Sequence, residues 1–121
     1  MIKFEHDGFL ASFNSAHGGL HAAVELQRTF AGTNGDGEPQ ALALRIGLHS
    51  GYVITSSDEL LGRNVVLAAR TAAHAAAGEI LVSSTLKEYT ESDPRFQFVP
   101  RGEPHFKGLL GEHAVHSVPW R

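Results

Sequence analysis

The part of this sequence that most restricts the possible folds is Leu60-Leu61-Gly62-Arg63-Asn64-Val65-Val66-Leu67-Ala68-Ala69-Arg70, followed by Gly78-Glu79-Ile80-Leu81-Val82-Ser83. A glycine opens it, and an alanine-rich run from Leu61 to Ala77 then has helical spacing, with Gly78 standing at a plausible C′ position. Alanine-rich helices pack closely on their neighbours. Ile80 to Val82 is a short, continuously apolar run expected to form a buried strand, and Ser83 or Ser84 is placed to cap a brief helix through Tyr89.

Two short apolar-rich segments, Ile2 to Glu5 and Phe9 to Phe13, flank His6-Asp7-Gly8. Asp-Gly between such segments predicts a β-hairpin with Asp7 at its tip, because glycine accepts a positive φ and aspartate tolerates one. Asn14 or Ser15 then caps a helix in which Leu20, Ala23, Val24, Gln27 and Phe30 recur at helical spacing, although Gly18-Gly19 weakens its first turn. Gly32 to Pro39 is a flexible connection by composition. Leu42 to His49 alternates like a strand, Gly51 introduces a bend or bulge, and Tyr52 to Thr55 forms a second β segment. Phe96, Phe98 and Phe106 are expected on later strands, with Val115 and Val118 on a final one before Pro119. Strands, helices and hairpins in this mixture predict an α+β domain in preference to a doubly wound parallel sheet.

At 121 residues the chain fits one domain spanning 1–121, and its 42% apolar content suffices for one core. No apolar run approaches the roughly 18 residues of a membrane span. A formal charge of -3 with interspersed signs gives no footprint for nucleic acid or an anionic membrane. Cysteine is absent, so disulfides and thiolate metal sites are excluded, and the N-terminus lacks a signal h-region. A soluble, cytoplasmic chain is expected.

Lys3-Phe4-Glu5-His6-Asp7-Gly8-Phe9, Arg45-Ile46-Gly47-Leu48-His49-Ser50-Gly51, and the Gly62 to Arg70 helix running into Gly78 to Ser83 occur in the order and at the spacing of class III adenylate and guanylate cyclases. Arg101-Gly102-Glu103 and Phe106-Lys107-Gly108 fit the closing strands of that family. Each piece is weak alone. Together they make most of the chain resemble a ferredoxin-like cyclase homology domain that lacks the family's first strand and first helices.

The resemblance implies a dimer with ATP or GTP between subunits, converted to a 3′,5′-cyclic nucleotide and pyrophosphate with Mg²⁺ or Mn²⁺. Asp7 matches a metal aspartate, Lys3 the base-recognising lysine and Lys107 a triphosphate lysine. Arg70 matches the arginine that stabilises charge during ring closure, a role suited to a planar, permanently charged guanidinium. Glu59 stands where adenine-selective members have aspartate, and it could accept from adenine's amino group or from guanine's donors. Val66 stands where an asparagine orients the ribose, and His6 replaces a glycine. With the family's first metal aspartate outside the matched region, this chain alone is expected to be inactive or weak. Pairing of Phe9 to Phe13 with Leu42 to His49, or strand exchange between chains, would cover the sheet edge. The alternative role is a degenerate domain kept for nucleotide sensing or dimerisation. His17 and His21 have a metal-like i, i+4 spacing without a third ligand and are expected to face solvent.

Overall fold

A computed structural model of the chain describes the backbone of residues 2–5, 8–33, 43–51, 54–56 and 59–121, with side chains described over 8–31, 43–51 and 62–121. In chain order the elements are β1 (Ile2–Glu5), β2 (Gly8–Ala11), α1 (Ala16–Thr33), β3 (Ile46–Leu48), β4 (Ile54–Ser56), β5 (Glu59–Leu61), α2 (Arg63–His74), β6 (Ile80–Ser83), α3 (Ser84–Thr90), β7 (Val99–Pro100) and β8 (Val115–Ser117). Mixed strands and helices in this arrangement make an α+β fold.

β1 and β2 pair antiparallel with Glu5 opposite Gly8, so the hairpin forms, although His6 and Asp7 lie outside the described residues. Ser15 starts α1, its Oγ accepting the Gly18 N–H at 2.9 Å and so satisfying one of the helix's unpaired donors. The glycines that should weaken this turn are used for contact. A Cβ on Gly19 would lie 3.4 Å from Leu48 and 3.5 Å from Phe13. The helix then continues to Thr33, two residues into the expected connection, and residues 34–42 lie outside the described residues.

The main sheet has the order β3-β6-β8-β7, with β3 parallel to β6 and the remaining pairs antiparallel. β6 explains its own composition. Ile80 and Val82 point into a cluster with Leu20, Ala23 and Val24 of α1, Leu86 of α3, Val118 and Trp120, whereas Leu81 joins Leu67, Ala75, Phe106 and Val115 on the other face. A strand buried on both sides reads as a continuous apolar run, and its one polar residue, Ser83, is buried at the end with its hydroxyl hydrogen-bonded. Burial of each large aliphatic side chain contributes about 1.5–3 kcal/mol. Gln27, also buried, is reconciled with the core because its Nε2 donates to the carbonyls of Leu44 at 3.0 Å and Glu79 at 3.4 Å.

Three expectations are corrected. Phe96, Phe98 and Phe106 lie beside strands, β7 being only Val99–Pro100; their bulk packs against the core without joining a ladder. α2 ends at His74 with an extended Ala75 as its cap, and Gly78, at φ +79°, makes the turn into β6 while donating its N–H to Leu44 at 2.8 Å. β2 belongs to its own two-stranded sheet with β1, so among the described residues it does not pair with β3.

Candidate functional site around the second helix

α2 presents two different stripes. Leu67, Thr71 and Ala75 are buried and Asn64 is half-buried, while Val66, Ala69, Arg70 and Ala73 are exposed. Thr71 tolerates burial because its hydroxyl donates to the Leu67 carbonyl at 2.7 Å. The inner stripe meets β3 with almost no clearance: a Cβ on Gly47 would lie 2.1 Å from the backbone nitrogen of Ala72. Only glycine permits that approach.

On the outer stripe, Arg70 Nε donates to the Lys107 carbonyl at 3.1 Å. The packing of the next residue upstream explains this contact. Phe106 is buried against Leu67 of α2 and Ala75, the cap of that helix; its ring stacks on His113 at 5.5 Å and meets His74 edge-on at 6.0 Å, and this anchors the turn that follows. Leu109 N–H closes that turn on the Phe106 carbonyl at 3.0 Å, with Gly108 at φ +85°. Lys107 is therefore delivered beside Arg70. Among the described residues no carboxylate pairs with the Arg70 guanidinium, whose two terminal amino groups remain as donors.

At the other end of α2, His49 bridges two elements. Its Nδ1 lies 2.7 Å from Ser83 Oγ and its Nε2 lies 2.7 Å from Asn64 Oδ1. Ser83 Oγ also accepts the Leu86 N–H at 3.2 Å, so the residue that caps α3 is tied through His49 to the first turn of α2. Burial, and then the nearby Arg63 and His113, push the His49 pKa down, while the bond to Asn64 acts against them. The strand-end histidine was visible in the sequence, but its partners lie 15 and 34 residues away and no local spacing announces them.

Of the residues singled out from the sequence, the structure brings Arg70 and Lys107 together. Lys3 stands opposite Leu10 in the β1–β2 ladder and Glu59 opposite Ser56 in the β4–β5 ladder, while their side chains, and all of Asp7, lie outside the described residues. Asn64 and Val66 face different ways, Asn64 turned in on His49 and Val66 39% exposed beside Arg70. His21 is exposed, and His17 leans toward Asp93 with Nε2 3.9 Å from Oδ2. Among the described residues no three His, Asp or Glu side chains converge on a point that could hold a metal ion, and Asp7, the expected metal ligand, lies outside them. Nor, among them, is any helix long and apolar enough to cross a membrane.

A mixed sheet with helices packed on it, and an arginine-bearing helix between two parallel strands, agree with the cyclase-type domain that the sequence resemblance implies. The model of the adenylate and guanylate cyclase catalytic domain matches residues 8–118, and the chain belongs to that family. It is 33% identical over 121 residues to a Rhizobium meliloti (strain 1021) protein with the provisional name adenylate cyclase 3, covering 99% of this chain and 20% of that protein. A solved adenylate/guanylate cyclase/hydrolase from Silicibacter pomeroyi superposes with a TM-score of 0.89 at 27% identity, over 97% of this chain and 70% of the other. An adenylate cyclase structure from Trypanosoma brucei shares the fold, with a TM-score of 0.78 at 17% identity over 96% of this chain and 69% of its own.

Proposed function

We propose that this domain binds ATP or GTP and, paired with a second cyclase domain in a homodimer, serves the reaction that forms a 3′,5′-cyclic nucleotide and pyrophosphate in the cytoplasm, with weak or no turnover by this chain alone. The ribose 3′-oxygen bonds to the α-phosphorus as the bond to the bridging oxygen breaks. The hydroxyl loses its proton to water and pyrophosphate departs with the electron pair. Arg70 and Lys107 serve the charge on the phosphoryl oxygens, Lys3 and Glu59 the base, and Asp7 would supply one carboxylate to a divalent ion. When bound, Mg²⁺ or Mn²⁺ would add Lewis-acid charge at the phosphates. The family membership and the names of the Rhizobium and Silicibacter relatives support this reaction class.

The observation that carries the reading is the Arg70 to Lys107 bond. It fixes the guanidinium through Nε and leaves the outer edge to form paired hydrogen bonds with phosphate oxygens. The test is calorimetry with ATP and with GTP in Mn²⁺, followed by assay of cyclic product. Arg70→Ala should weaken triphosphate binding about tenfold or more, as loss of a hydrogen bond to a charged group worth about 1.5–3 kcal/mol predicts. Unchanged affinity in Arg70→Ala would sink the assignment.

Val66 favours a second reading, in which the domain senses nucleotide or dimerises without efficient turnover. An exposed valine one turn from Arg70 offers no amide to a ribose. Nucleotide binding without cyclic product supports the sensor; a concentration-dependent dimer that binds neither nucleotide supports a structural role.

A further inference from the structure

We infer that His49 is a positioning residue that holds the start of α2, and so sets where Arg70 stands relative to a bound triphosphate. The inference rests on the proposed function for its link to nucleotide. It rests on the hydrogen-bond chain alone for its link to the helix.

The direction of each bond in that chain follows from chemistry. Asn64 Oδ1 can only accept, so the His49 Nε2 facing it at 2.7 Å carries the proton. Nδ1 of the neutral ring then accepts from the Ser83 hydroxyl at 2.7 Å, and the Ser83 oxygen accepts in turn from Leu86 N–H at 3.2 Å. Every donor meets an acceptor, from the cap of α3 to the first turn of α2. The arrangement defines one tautomer.

Asn64 is confined from its other side as well. A Cβ on Gly51 would lie 2.5 Å from the Asn64 side-chain amide, so the strand-end bend closes over the group that His49 grips. This matters because α2 begins without a side-chain cap of its own: Gly62 precedes it and can supply none. The His49 bond therefore anchors a helix start that the usual capping chemistry leaves loose. Arg70 lies on the same rigid helix, with its own tie to Lys107 further along. Two tethers, one near each end of the segment from Asn64 to Arg70, fix both its height and its rotation on the sheet. Burial with Arg63 and His113 nearby keeps His49 in the neutral form that the chain of bonds requires.

The test uses the full chain and three readouts. Nitrogen-15 NMR of the histidine rings should show His49 with the proton on Nε2 at neutral pH. Amide hydrogen exchange, read without nucleotide, should be at least about tenfold faster over residues 63–67 in His49→Phe than in wild type, with α1 unaffected and the far-ultraviolet circular dichroism unchanged. His49→Gln, whose amide can both donate to Asn64 and accept from Ser83, should restore slow exchange. Calorimetry with ATP in Mn²⁺ should follow the same order: weaker in His49→Phe, recovered in His49→Gln.

An Nδ1–H tautomer, or equal exchange in wild type and His49→Phe, would overturn the tether. Faster exchange with unaltered ATP affinity would overturn the positioning of Arg70 while leaving the proposed function standing. A wild-type chain that binds no nucleotide would count against the proposed function and the Arg70 link together, whereas the tether is still decided by exchange.

Discussion

Val66 and Arg70 stand one helical turn apart on the exposed stripe of α2, so a group at position 66 shares the surface that the guanidinium serves. Val66→Asn should raise triphosphate affinity or cyclic product measurably. Stability should stay within about 0.5 kcal/mol, since the site is exposed and the two residues have similar helix propensity. Calorimetry and urea denaturation of the same sample check both halves; no gain in either binding or product would remove ribose orientation from this position.

Gly47 and Ala72 define the tightest contact between helix and sheet. Gly47→Ala places a methyl group 2.1 Å from a backbone nitrogen and 2.5 Å from a Cα, atoms that cannot rotate away. We expect a loss of about 3 kcal/mol, the upper end of ordinary overpacking. Gly8→Ala, which meets nothing within 4 Å, serves as the control. Equal urea midpoints for the two variants would contradict the close approach.

His116 on β8 has a buried Nδ1 without a hydrogen-bond partner among the described residues. Burial first, and then Lys87, lower its pKa, with Glu91 opposing, so the folded chain favours the neutral ring. The folded state therefore binds fewer protons than the unfolded one below the ordinary histidine range, and stability falls as pH drops through and below about 6.5. His116→Leu should stabilise the protein by about 1 kcal/mol by removing the unsatisfied atom, and should flatten stability between about pH 7 and 5. Thermal melts across that range check it, and an unaltered pH slope would assign the acid sensitivity elsewhere.

Asp93 grips Arg95 through both carboxylate oxygens, including 2.7 Å to Nη2 and 2.9 Å to the backbone N–H, and these contacts lower its pKa to about 2. The unfolded chain takes up this proton first as pH falls. The stability contributed by the ionised form is thus present above the unfolded value and disappears across the interval down to about 2. Asp93→Asn should lose less stability than wild type over that interval, measured by urea titration at successive pH values. Parallel curves would show that the carboxylate is not held.

How much of this was legible in the sequence depended on range. Ile80 to Val82 was visible because burial on two faces leaves a continuous apolar run, the helix α2 because of its alanine-rich composition, and Ser83 announced itself by standing before a helix. The phenylalanines misled because the properties that suit an aromatic ring to a strand also suit it to a core wall beside one: Phe106 covers α2 from a loop. The Gly18-Gly19 pair argued against a helix start that tertiary packing against Leu48 and Phe13 supports. Arg70 was nameable from sequence, but its anchor is a main-chain carbonyl, which belongs to every residue and distinguishes none. The His49 chain spans three elements and has no local signature.

The Gly47 contact also limits how α2 can move. A helix seated backbone to backbone has no side-chain layer to compress, so it cannot settle toward the sheet when a partner domain pushes on it. Any displacement would have to be a glide parallel to β3, a shear of the kind that packed elements accommodate in small steps, and it would stretch the bonds from Asn64 to His49 and from Arg70 to Lys107. Arg70, carried on that helix, would then travel along the strand direction and keep a constant height above the sheet.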